Sequence, residues 1–357
     1  MSIPNGNETT VVSCEDLREI GIRSLKKVGV PDNDARDTID VLLCADLRGV
    51  STHGIQRLLM YIPRIQKGLM NPRPKIEVKS AAPAMRIVYG DNGLGPVVGT
   101  RGAKEAAALA KELGTGFVGC RDSNHFGAAA PYVLMACREK LIGITGTNAF
   151  PAMPPWGGLG NFLGNNPLAV GVPAEGESPF VLDIAMSVSS RGRMRQIAAE
   201  KGRMPEGWAV DPQGKLTTDP MEGLRGFVLP MGQHKGYGLA IVIDILSGVL
   251  TGSGFGTGVK SIVQQCDEPQ HVGHFFIAID PTRFMPWEDF STRMREYFRI
   301  LRGAPRIDPE THILIPGDAE EELEGERRKK GIPVKIKTLK ILQGMSEGQY
   351  DYEIPKL

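Results

Sequence analysis

The sequence predicts a mixed fold, in which a helical part precedes a region of alternating strands and helices. Residues 14–63 carry apolar side chains at helical spacing, whereas short β-branched or aromatic runs recur from about residue 86. Segments of good helix formers lie between those runs. The chain has 357 residues, more than the roughly 250–300 at which a single hydrophobic core stops growing, so two domains are expected.

The first predicted elements are helices. Ser13 is a suitable N-cap for a helix over 14–27, which keeps apolar residues on one face. A second helix is predicted over 34–50, and it continues into the stretch STHGIQRLLMYIP at 51–63. The proline-rich segment NPRPKIEV at 71–78 then predicts a connector to a new region.

Six strands are predicted in the rest of the chain, each as a short apolar run. They are MRIVYG at 85–90, GFVGC at 116–120, IGITG at 142–146, LAVGV at 168–172, FVLDI at 180–184 and HFFIAID at 274–280. Helices are predicted over 102–113 and 190–201. A last helix at 319–330 begins acidic and ends basic, as the helix dipole favours. Residues 346–357 are expected to form a surface tail.

Composition argues against several classes of partner. With 42 basic and 41 acidic residues, the net charge is +1, so no field of one sign would collect nucleic acid or an anionic membrane. The most apolar run, GLAIVIDILSGVL at 238–250, is shorter than the roughly 20 residues that span a bilayer, so it predicts a buried core helix. Five scattered cysteines without CxxC spacing predict a reduced, cytoplasmic protein. They are Cys14, Cys44, Cys120, Cys137 and Cys266.

Two further patterns suggest ligands but are weak. The glycines of YGDNGLGPVVG at 89–99 have the spacing GxGxxxG instead of GxGxxG. The acidic residue that should end the second strand of a Rossmann unit, here Asp122, comes late. The HVGH segment at 271–274 suggests a metal site, but no cysteine or carboxylate cluster completes a ligand set at familiar spacing. We therefore expect His274 to be a hydrogen-bonded strand residue, and no metal is expected.

Several segments place polar side chains in tight glycine- and proline-rich contexts. They are DLRGVSTHGIQRLLMY at 46–61, DSNHFGAAAPY at 122–132, TNAFPAMPPWGG at 147–158, GNNPLAVGVP at 164–173, LDIAMSVSSRGRM at 182–194, GQHKGYGLA at 232–240 and GHFFIAIDPTRF at 273–284. Together they resemble the malate/L-lactate dehydrogenase family of NAD(P)-dependent oxidoreductases, which lacks a Rossmann fold. The resemblance extends over about residues 14–333. It is specific because several motifs match in order.

This resemblance implies an α+β fold with a non-Rossmann NAD(P)-binding domain and a largely antiparallel sheet. Residues 1–85 with 285–357 would form a helical domain for dimerisation and substrate anchoring, and residues 86–284 the α/β NAD(P)-binding domain. The implied protein is a homodimer that interconverts a small 2-hydroxy acid and its 2-oxo acid with NAD or NADP. Two alternatives stay open: a cyclic imino-acid reductase of the same family, and a dinucleotide-binding protein without turnover.

The stretch at 51–63 carries side chains suited to an acidic substrate. In a helix, His53, Arg57 and Tyr61 would lie on one side, because residues four apart are neighbours. A guanidinium binds a carboxylate through two parallel hydrogen bonds, so Arg57 is the candidate anchor and Arg48 the second choice. Thr52 and Tyr61 are expected to contact the substrate.

A histidine suits the proton transfer, because its ordinary pKa lies near ~6.5. The resemblance implies a proton donor at either His53 or His125, and both remain candidates. Asp183 ends a predicted strand and is expected to orient His53 and fix its tautomer. The alternative for Asp183 is a cap on the helix that follows. Asn148, in an uncharged loop, is expected to hydrogen-bond the substrate.

The dinucleotide is expected at helix starts, whose free N–H groups and dipole favour phosphate. Ser187 precedes one such start. Lys235 precedes the long apolar helix, and Gly236 would let a backbone approach closely. By resemblance, the candidate cofactor residues are Asp183, Met186, Ser187, His234, Lys235, Gly236, Gly317 and Asp318. The family commonly has Gly at Gln233 and Lys at Arg193, and these departures leave the choice between NAD and NADP open.

Overall fold

The computed structural model describes residues 8–262 and 267–350. Its helices are α1 (Cys14–Lys27), α2 (Asp32–Leu47), α3 (Leu58–Gln66), α4 (Gly95–Leu113), α5 (Ala130–Arg138), α6 (Arg191–Ala199), α7 (Pro220–Arg225), α8 (His234–Asp244), α9 (Trp287–Arg302), α10 (Asp318–Lys330) and α11 (Ile336–Glu347). Its strands are β1 (Thr9–Val12), β2 (Glu77–Ala82), β3 (Met85–Tyr89), β4 (Thr115–Ser123), β5 (Ile142–Thr147), β6 (Pro151–Met153), β7 (Leu163–Gly164), β8 (Leu168–Val172), β9 (Phe180–Ile184), β10 (Ala209–Val210), β11 (Leu216–Thr217), β12 (Phe227–Val228), β13 (Val272–Ile279) and β14 (Ile332–Lys335).

A seven-stranded sheet lies at the centre, in the order β2-β3-β4-β13-β5-β8-β9. Its neighbouring strands are antiparallel except for β3 and β4, which are parallel. All six predicted strands belong to this sheet, and the prediction of a mixed fold with a largely antiparallel sheet is confirmed. β13 comes from late in the chain and lies between β4 and β5, so it joins distant segments beside the candidate site.

One apolar core joins the two chain ends. Leu17 of α1 is fully buried with Leu342 and Met345 of α11, and β1 pairs with β14. This packing is what a helical domain built from both ends would need. In contrast, Phe298 of α9 packs with Ala174 beside the sheet, although its position in sequence would assign it to that helical domain. The domain boundaries at 85 and 285 stay a prediction.

The N-terminal helices agree with the sequence until the chain reaches 51–57. The Ser13 hydroxyl accepts an N–H from the first turn of α1 at 3.0 Å, so the predicted cap is present. α2 ends at Leu47, because Gly49 follows it with a positive φ of 85° that terminates a helix. Two 3₁₀ turns, Ser51–His53 and Ile55–Arg57, then meet at Gly54. The predicted continuous helix through this stretch is therefore wrong.

Other elements also depart from the prediction. β2 begins inside the predicted connector, at Glu77, and α11 includes Ser346 and Glu347 of the predicted tail. Residues 351–357 of that tail and Cys266 lie outside the described residues.

The apolar run at 238–250 is not a buried core helix. It forms most of α8 and a π-helical turn at Ile245–Val249. One face of this unit is open to solvent, with Val242, Ile245 and Val249 exposed by 49%, 46% and 53%. None of the helices in residues 8–262 and 267–350 is long and apolar enough to cross a bilayer.

Candidate active site

A cavity of about 300 Å³ lies where the end of α2, the loop before α5 and the sheet edge at β9 meet. Its polar lining includes Arg48, His53, His125, Thr147, Asn165, Asp183 and Glu320. Four of the predicted site residues, Arg48, His53, His125 and Asp183, therefore line the same cavity. The other predicted substrate residues are not among the residues that line it.

The two candidate histidines lie against each other. The rings of His53 and His125 stack with their centroids 5.4 Å apart and an angle of 22° between their planes. Thr52 Oγ1 lies 3.0 Å from His53 Nδ1. The Tyr61 hydroxyl lies 2.8 Å from His125 Nδ1 and 3.1 Å from the His125 carbonyl oxygen. The structure thus gives Thr52 and the fully buried Tyr61 contacts to an imidazole instead of the predicted place in the substrate pocket.

His125 is held from several directions. Its backbone N–H donates to Gln270 Oε1 at 3.0 Å, and the N–H of Gly127 donates to its Nδ1 at 3.3 Å. A tyrosine hydroxyl both donates and accepts, so Tyr61 can serve either tautomer of the ring. In the tautomer with the proton on Nδ1, that N–H donates to the Tyr61 oxygen, and Nε2 can accept a proton from a molecule in the cavity. The Gly127 N–H can donate to Nδ1 only in the other tautomer, in which Nε2 carries the proton.

Both imidazoles are uncharged at neutral pH. Burial lowers the pKa of His53 to about 3, and the nearby Arg57 charge acts in the same direction. Burial also lowers the pKa of His125 well below its ordinary value, with the Arg57 charge and the neighbouring His53 adding to the effect. A neutral imidazole can accept a proton from a substrate hydroxyl.

The two candidate arginines differ in their partners. Arg57 Nη1 lies 3.4 Å from the Met60 sulfur, and the buried Nε has no hydrogen-bond partner among residues 8–262 and 267–350. Burial lowers the pKa of the Arg57 guanidinium. Arg48 is instead paired, with Nη1 2.8 Å from Glu321 and 3.2 Å from Glu324. Arg57 is therefore the arginine with bonding capacity left for an acid, and Arg48 is neutralised by α10.

Asp183 does not contact His53. Its Oδ2 accepts the N–H groups of Ala129 at 3.1 Å and Ala130 at 2.8 Å, so it caps the start of α5. Burial raises the pKa of Asp183, and these two N–H groups act against that effect. The cap of the following helix, α6, is Ser190. The structure therefore corrects both predicted roles: Asp183 neither orients His53 nor caps the helix after it.

Asn148 is bound inside the protein and does not reach the cavity. Its Nδ2 donates to Asp244 Oδ1 at 3.0 Å and to the Gly254 carbonyl at 2.7 Å. Its Oδ1 accepts the Gly273 N–H at 2.9 Å. The amide thus joins the loop after β5 to α8 and β13, which replaces the predicted contact with substrate. The preceding residue, Thr147, lines the cavity.

Two predicted cofactor segments lie side by side. The Met231 N–H donates to the Met186 carbonyl at 2.8 Å, and Ser187 pairs with Pro230 in an isolated bridge. A Cβ on Gly236 would overlap the Met231 carbonyl and lie 3.0 Å from the Met186 carbonyl. Glycine is therefore required at 236 by close packing of two backbones. This packing brings the start of α8 to the end of β9.

The first residues of α8 are exposed. Gln233 precedes the helix with φ 61° and ψ −127°, a conformation that only glycine adopts without strain. His234 places its ring edge-on to Trp156, with centroids 6.3 Å apart. Lys235 follows in the first turn and is exposed. Its ammonium is thus available to an anionic group at this helix start.

The third predicted cofactor segment begins α10. Gly317 has a φ of 104° and packs against the backbone of Val181. The Asp318 carboxylate accepts the Ile315 N–H at 2.9 Å and pairs with Arg302 at 3.1 Å. Asp318 is therefore occupied within the protein, although the turn itself lies close to the cavity.

His274 is a structural residue, as predicted. Its Nδ1 lies 2.8 Å from Thr147 Oγ1 and its Nε2 2.8 Å from Ser123 Oγ. Its ring also stacks on Phe126, with centroids 4.6 Å apart. The histidine thus links β4, β13 and β5 beside the loop that carries His125. Within the described ranges, no group of three or more His, Cys, Asp or Glu side chains could hold a metal ion.

The family model described as malate/L-lactate dehydrogenase matches residues 12–343. The chain belongs to this family. A malate dehydrogenase from Pyrococcus horikoshii is 39% identical over 335 residues, which cover 91% of this chain and 92% of that relative. The solved structure of a sulfolactate dehydrogenase from Methanocaldococcus jannaschii has a TM-score of 0.90 and 38% identity, covering 95% and 97% of the two chains. The predicted resemblance is confirmed, and this family member is an oxidoreductase.

Some relatives in the family are named as NADP-dependent enzymes and others as NAD-dependent enzymes. A (2R)-3-sulfolactate dehydrogenase (NADP(+)) from Chromohalobacter salexigens is 35% identical over 89% of this chain and 92% of its own length. A ureidoglycolate dehydrogenase (NAD(+)) from Escherichia coli is 31% identical over 90% and 92%. The prediction of an NAD(P)-dependent dehydrogenase is thus confirmed at the level of the family.

Several lining residues of this family member were missed in the sequence. Glu320 faces the cavity from the first turn of α10, and Cys44 and Asn165 also line it. Glu320 had a usable signal, because it follows the predicted cofactor residues Gly317 and Asp318 by two positions. Asn165 had one as well, because it lies in the motif GNNPLAVGVP at 164–173. Cys44 had none, since its neighbours in the cavity come from distant strands and helices.

Proposed function

We propose that this chain interconverts a small 2-hydroxy acid of the malate or lactate kind and its 2-oxo acid with NAD or NADP. The observation that carries the proposal is Arg57, which lies beside two stacked, uncharged imidazoles. The residue is half-buried, and its buried Nε has no hydrogen-bond partner among the described residues. A guanidinium in that state favours a carboxylate, which it binds through parallel hydrogen bonds. An acid anchored there would present its adjacent carbon to a histidine.

His125 is the proposed proton carrier. Two protein groups hold it in the tautomer that leaves Nε2 free to accept a proton: the Tyr61 hydroxyl oxygen accepts the Nδ1–H, and the Gln270 side chain accepts the backbone N–H. Within residues 8–262 and 267–350, the ring nitrogens of His53 have a hydrogen-bond partner only in the neighbouring Thr52. A general acid–base must be held in place to be effective, which favours His125 and leaves His53 as its stacked partner.

The proposed oxidation divides the work between the chain and the cofactor. A bound nicotinamide would supply the acceptor for the hydride of C2 of the hydroxy acid. Arg57 holds the carboxylate, and His125 Nε2 takes the hydroxyl proton as the C2–O bond becomes a carbonyl. In the reverse direction the protonated His125 returns that proton to the carbonyl oxygen. The anionic substrate would ease this protonation, because its carboxylate offsets the Arg57 charge.

The dinucleotide is proposed to lie between the start of α8 and the start of α10. Lys235 and the packed backbones at Gly236 and Met186 form one end, and Gly317 and Glu320 lie at the other. Helix starts of this kind bind phosphate groups through their free N–H groups. The proposal covers both NAD and NADP.

We further propose a cytoplasmic homodimer. The open face of α8 supports the dimer, because contiguous apolar surface on a folded protein marks an interaction site. The exposed side chains are Leu239 and Val242 of α8, with Ile245 and Val249 of the π-helical turn that follows it. Val242→Glu is expected to convert a dimer into a monomer in size-exclusion chromatography with light scattering, and an unchanged mass would contradict this face as the interface.

Free thiols support the proposed location in the cytoplasm, because disulfides are rare in that reducing compartment. They are Cys14, Cys44, Cys120 and Cys137.

The deciding experiment follows nicotinamide absorbance with NADH or NADPH and a panel of 2-oxo acids, and with the oxidised cofactors and 2-hydroxy acids. His125→Asn is expected to lower kcat by about 10²–10⁴-fold, the usual value of a positioned general acid–base. Arg57→Lys keeps the charge but loses the paired hydrogen bonds, so it should mainly raise KM for the acid. His312→Asn, at an exposed position, is the matched control and should leave both constants unchanged.

The alternatives predict different outcomes of this experiment. Turnover only of keto acids that carry a distal amine, and so cyclise to imines, would assign a cyclic imino-acid reductase. Cofactor binding without turnover of any keto, hydroxy or imino acid would assign a dinucleotide-binding protein. Equal, mild losses in His125→Asn and His53→Asn would remove His125 from the proton transfer.

A further inference from the structure

We propose that Asp46 is a positioning residue, which holds the two 3₁₀ turns at 51–57 in the geometry that places His53 and Arg57. Asp46 lies in the last turn of α2 and is only 4% exposed. It touches neither the cavity nor the two side chains that it would position. Its effect would pass through the backbone of Gly54 and Ile55.

The hydrogen bonds of Asp46 converge on these turns. Its Oδ2 accepts the Ile55 N–H at 2.6 Å, and the nearby Ser51 side chain acts to lower the pKa of the Asp46 carboxyl group, against the effect of burial. The Asp46 backbone carbonyl accepts a hydrogen bond from the Arg327 guanidinium of α10. One residue is therefore bonded to the second 3₁₀ turn and to α10, and its carboxyl group interacts with Ser51 of the first 3₁₀ turn.

The packing at Gly54 shows how closely the Asp46 carboxylate lies against the turn. A Cβ on Gly54 would overlap the Asp46 carboxylate. Gly54 has φ −85°, which any residue can adopt, so its own conformation does not require glycine. The carboxylate occupies the space that a side chain at 54 would need. Asp46 and Gly54 are thus a matched pair: the carboxylate of Asp46 fits against Gly54 because residue 54 has no side chain. Gly54 lies between His53 and Ile55 in the chain.

Both functional side chains depend on this pair. The Gly54 carbonyl accepts the Arg57 N–H at 2.9 Å, and the Gly54 N–H donates to the Ser51 carbonyl at 3.1 Å. A shift of Gly54 would therefore move His53 on one side and Arg57 on the other. Displacement of catalytic groups by about 1 Å can lower the rate as much as 10²-fold. Catalysis therefore requires that the turn is held in one position, in addition to being folded.

The inference rests on the proposed function only where turnover is measured. Asp46→Ala removes the acceptor and is expected to lower kcat at least about tenfold, with KM for the dinucleotide unchanged within twofold. Asp46→Asn keeps an acceptor oxygen for Ile55 and should recover kcat to within about threefold of the wild type. Asp280→Ala is the matched control, because Asp280 also caps a 3₁₀ turn, Pro281–Arg283, with its carboxylate 2.9 Å from the Thr282 N–H.

A readout independent of turnover separates the two proposals. In protein labelled with ¹³C at histidine Cε1, the His53 and His125 ring resonances should shift in Asp46→Ala and stay in place in Asp280→Ala. Shifted resonances in a protein that turns over no acid would retain the positioning role and remove the proposed function. Unshifted resonances together with an unchanged kcat in Asp46→Ala would overturn the positioning role.

A double-mutant cycle protects the test against simple unfolding. Gly54→Ala, with Asp46 intact, should displace the turn and lower kcat, because the new Cβ meets the carboxylate. In the double variant the smaller Ala at 46 leaves space for the Cβ at 54. The fold-decrease in kcat of the double variant should therefore be clearly less than the product of the fold-decreases of the two single variants. Losses that simply multiply would overturn the matched pair, as would single variants with wild-type kcat.

Discussion

His274 gives the protein a stability that depends on pH between 6.5 and 3. The residue is fully buried in β13, with both ring nitrogens 2.8 Å from hydroxyl groups. Burial lowers its pKa from 6.5 to about 3. The folded protein therefore leaves this ring uncharged at pH 5, whereas the unfolded chain protonates it below pH 6.5. The contribution is complete above pH 6.5 and is lost as the pH falls toward 3.

The size of this contribution follows from the two pKa values. Proton uptake by the unfolded chain at a single site stabilises that state by about 2 kcal/mol at pH 5 and by only about 0.2 kcal/mol at pH 7. Lowering the pH from 7 to 5 should therefore remove about 2 kcal/mol of stability through His274 alone. His274→Asn abolishes this term, because asparagine does not titrate.

Urea unfolding at pH 7 and pH 5 measures the effect. His274→Asn should be less stable than the wild type at pH 7, since the contacts with Ser123 and Thr147 are disturbed. Between pH 7 and pH 5, however, it should lose about 2 kcal/mol less than the wild type. His312→Asn, at an exposed position, should follow the wild type at both pH values. Equal losses in wild type and His274→Asn would refute the reasoning.

Three further predictions concern the cofactor segments and α5. Gln233→Gly should stabilise the protein by about 1 kcal/mol, because it relieves a strained backbone, and a lower melting temperature would contradict this. Gly236→Ala should destabilise it by about 1–3 kcal/mol and weaken NADH binding measured by fluorescence, because the Cβ overlaps the Met231 carbonyl. Asp183→Ala should lower the free energy of unfolding by about 1–2 kcal/mol through loss of the α5 cap, and Asp183→Asn should lower it clearly less. Equal decreases in melting temperature in the two variants would argue against a cap.

Local patterns in the sequence determined a large part of this fold. The Ser13 cap, the strands from MRIVYG to HFFIAID and the charge order of α10 depend on residues that are neighbours along the chain. Hydrophobic period, capping and helix propensity act over that range, so they can be read without the structure. The ordered motifs were likewise sufficient to predict the family, and with it a sheet that is mainly antiparallel.

Hydrogen-bond partners were decided only by the tertiary structure. Tyr61 meets His125, Asn148 meets Asp244, and Asp183 caps a helix that precedes it in the chain. Each of these bonds joins residues more than 50 positions apart, and it depends on which strands and helices come to lie side by side. A polar residue in a motif signals that a partner is needed, because burial without one is costly, but it does not say which group supplies it.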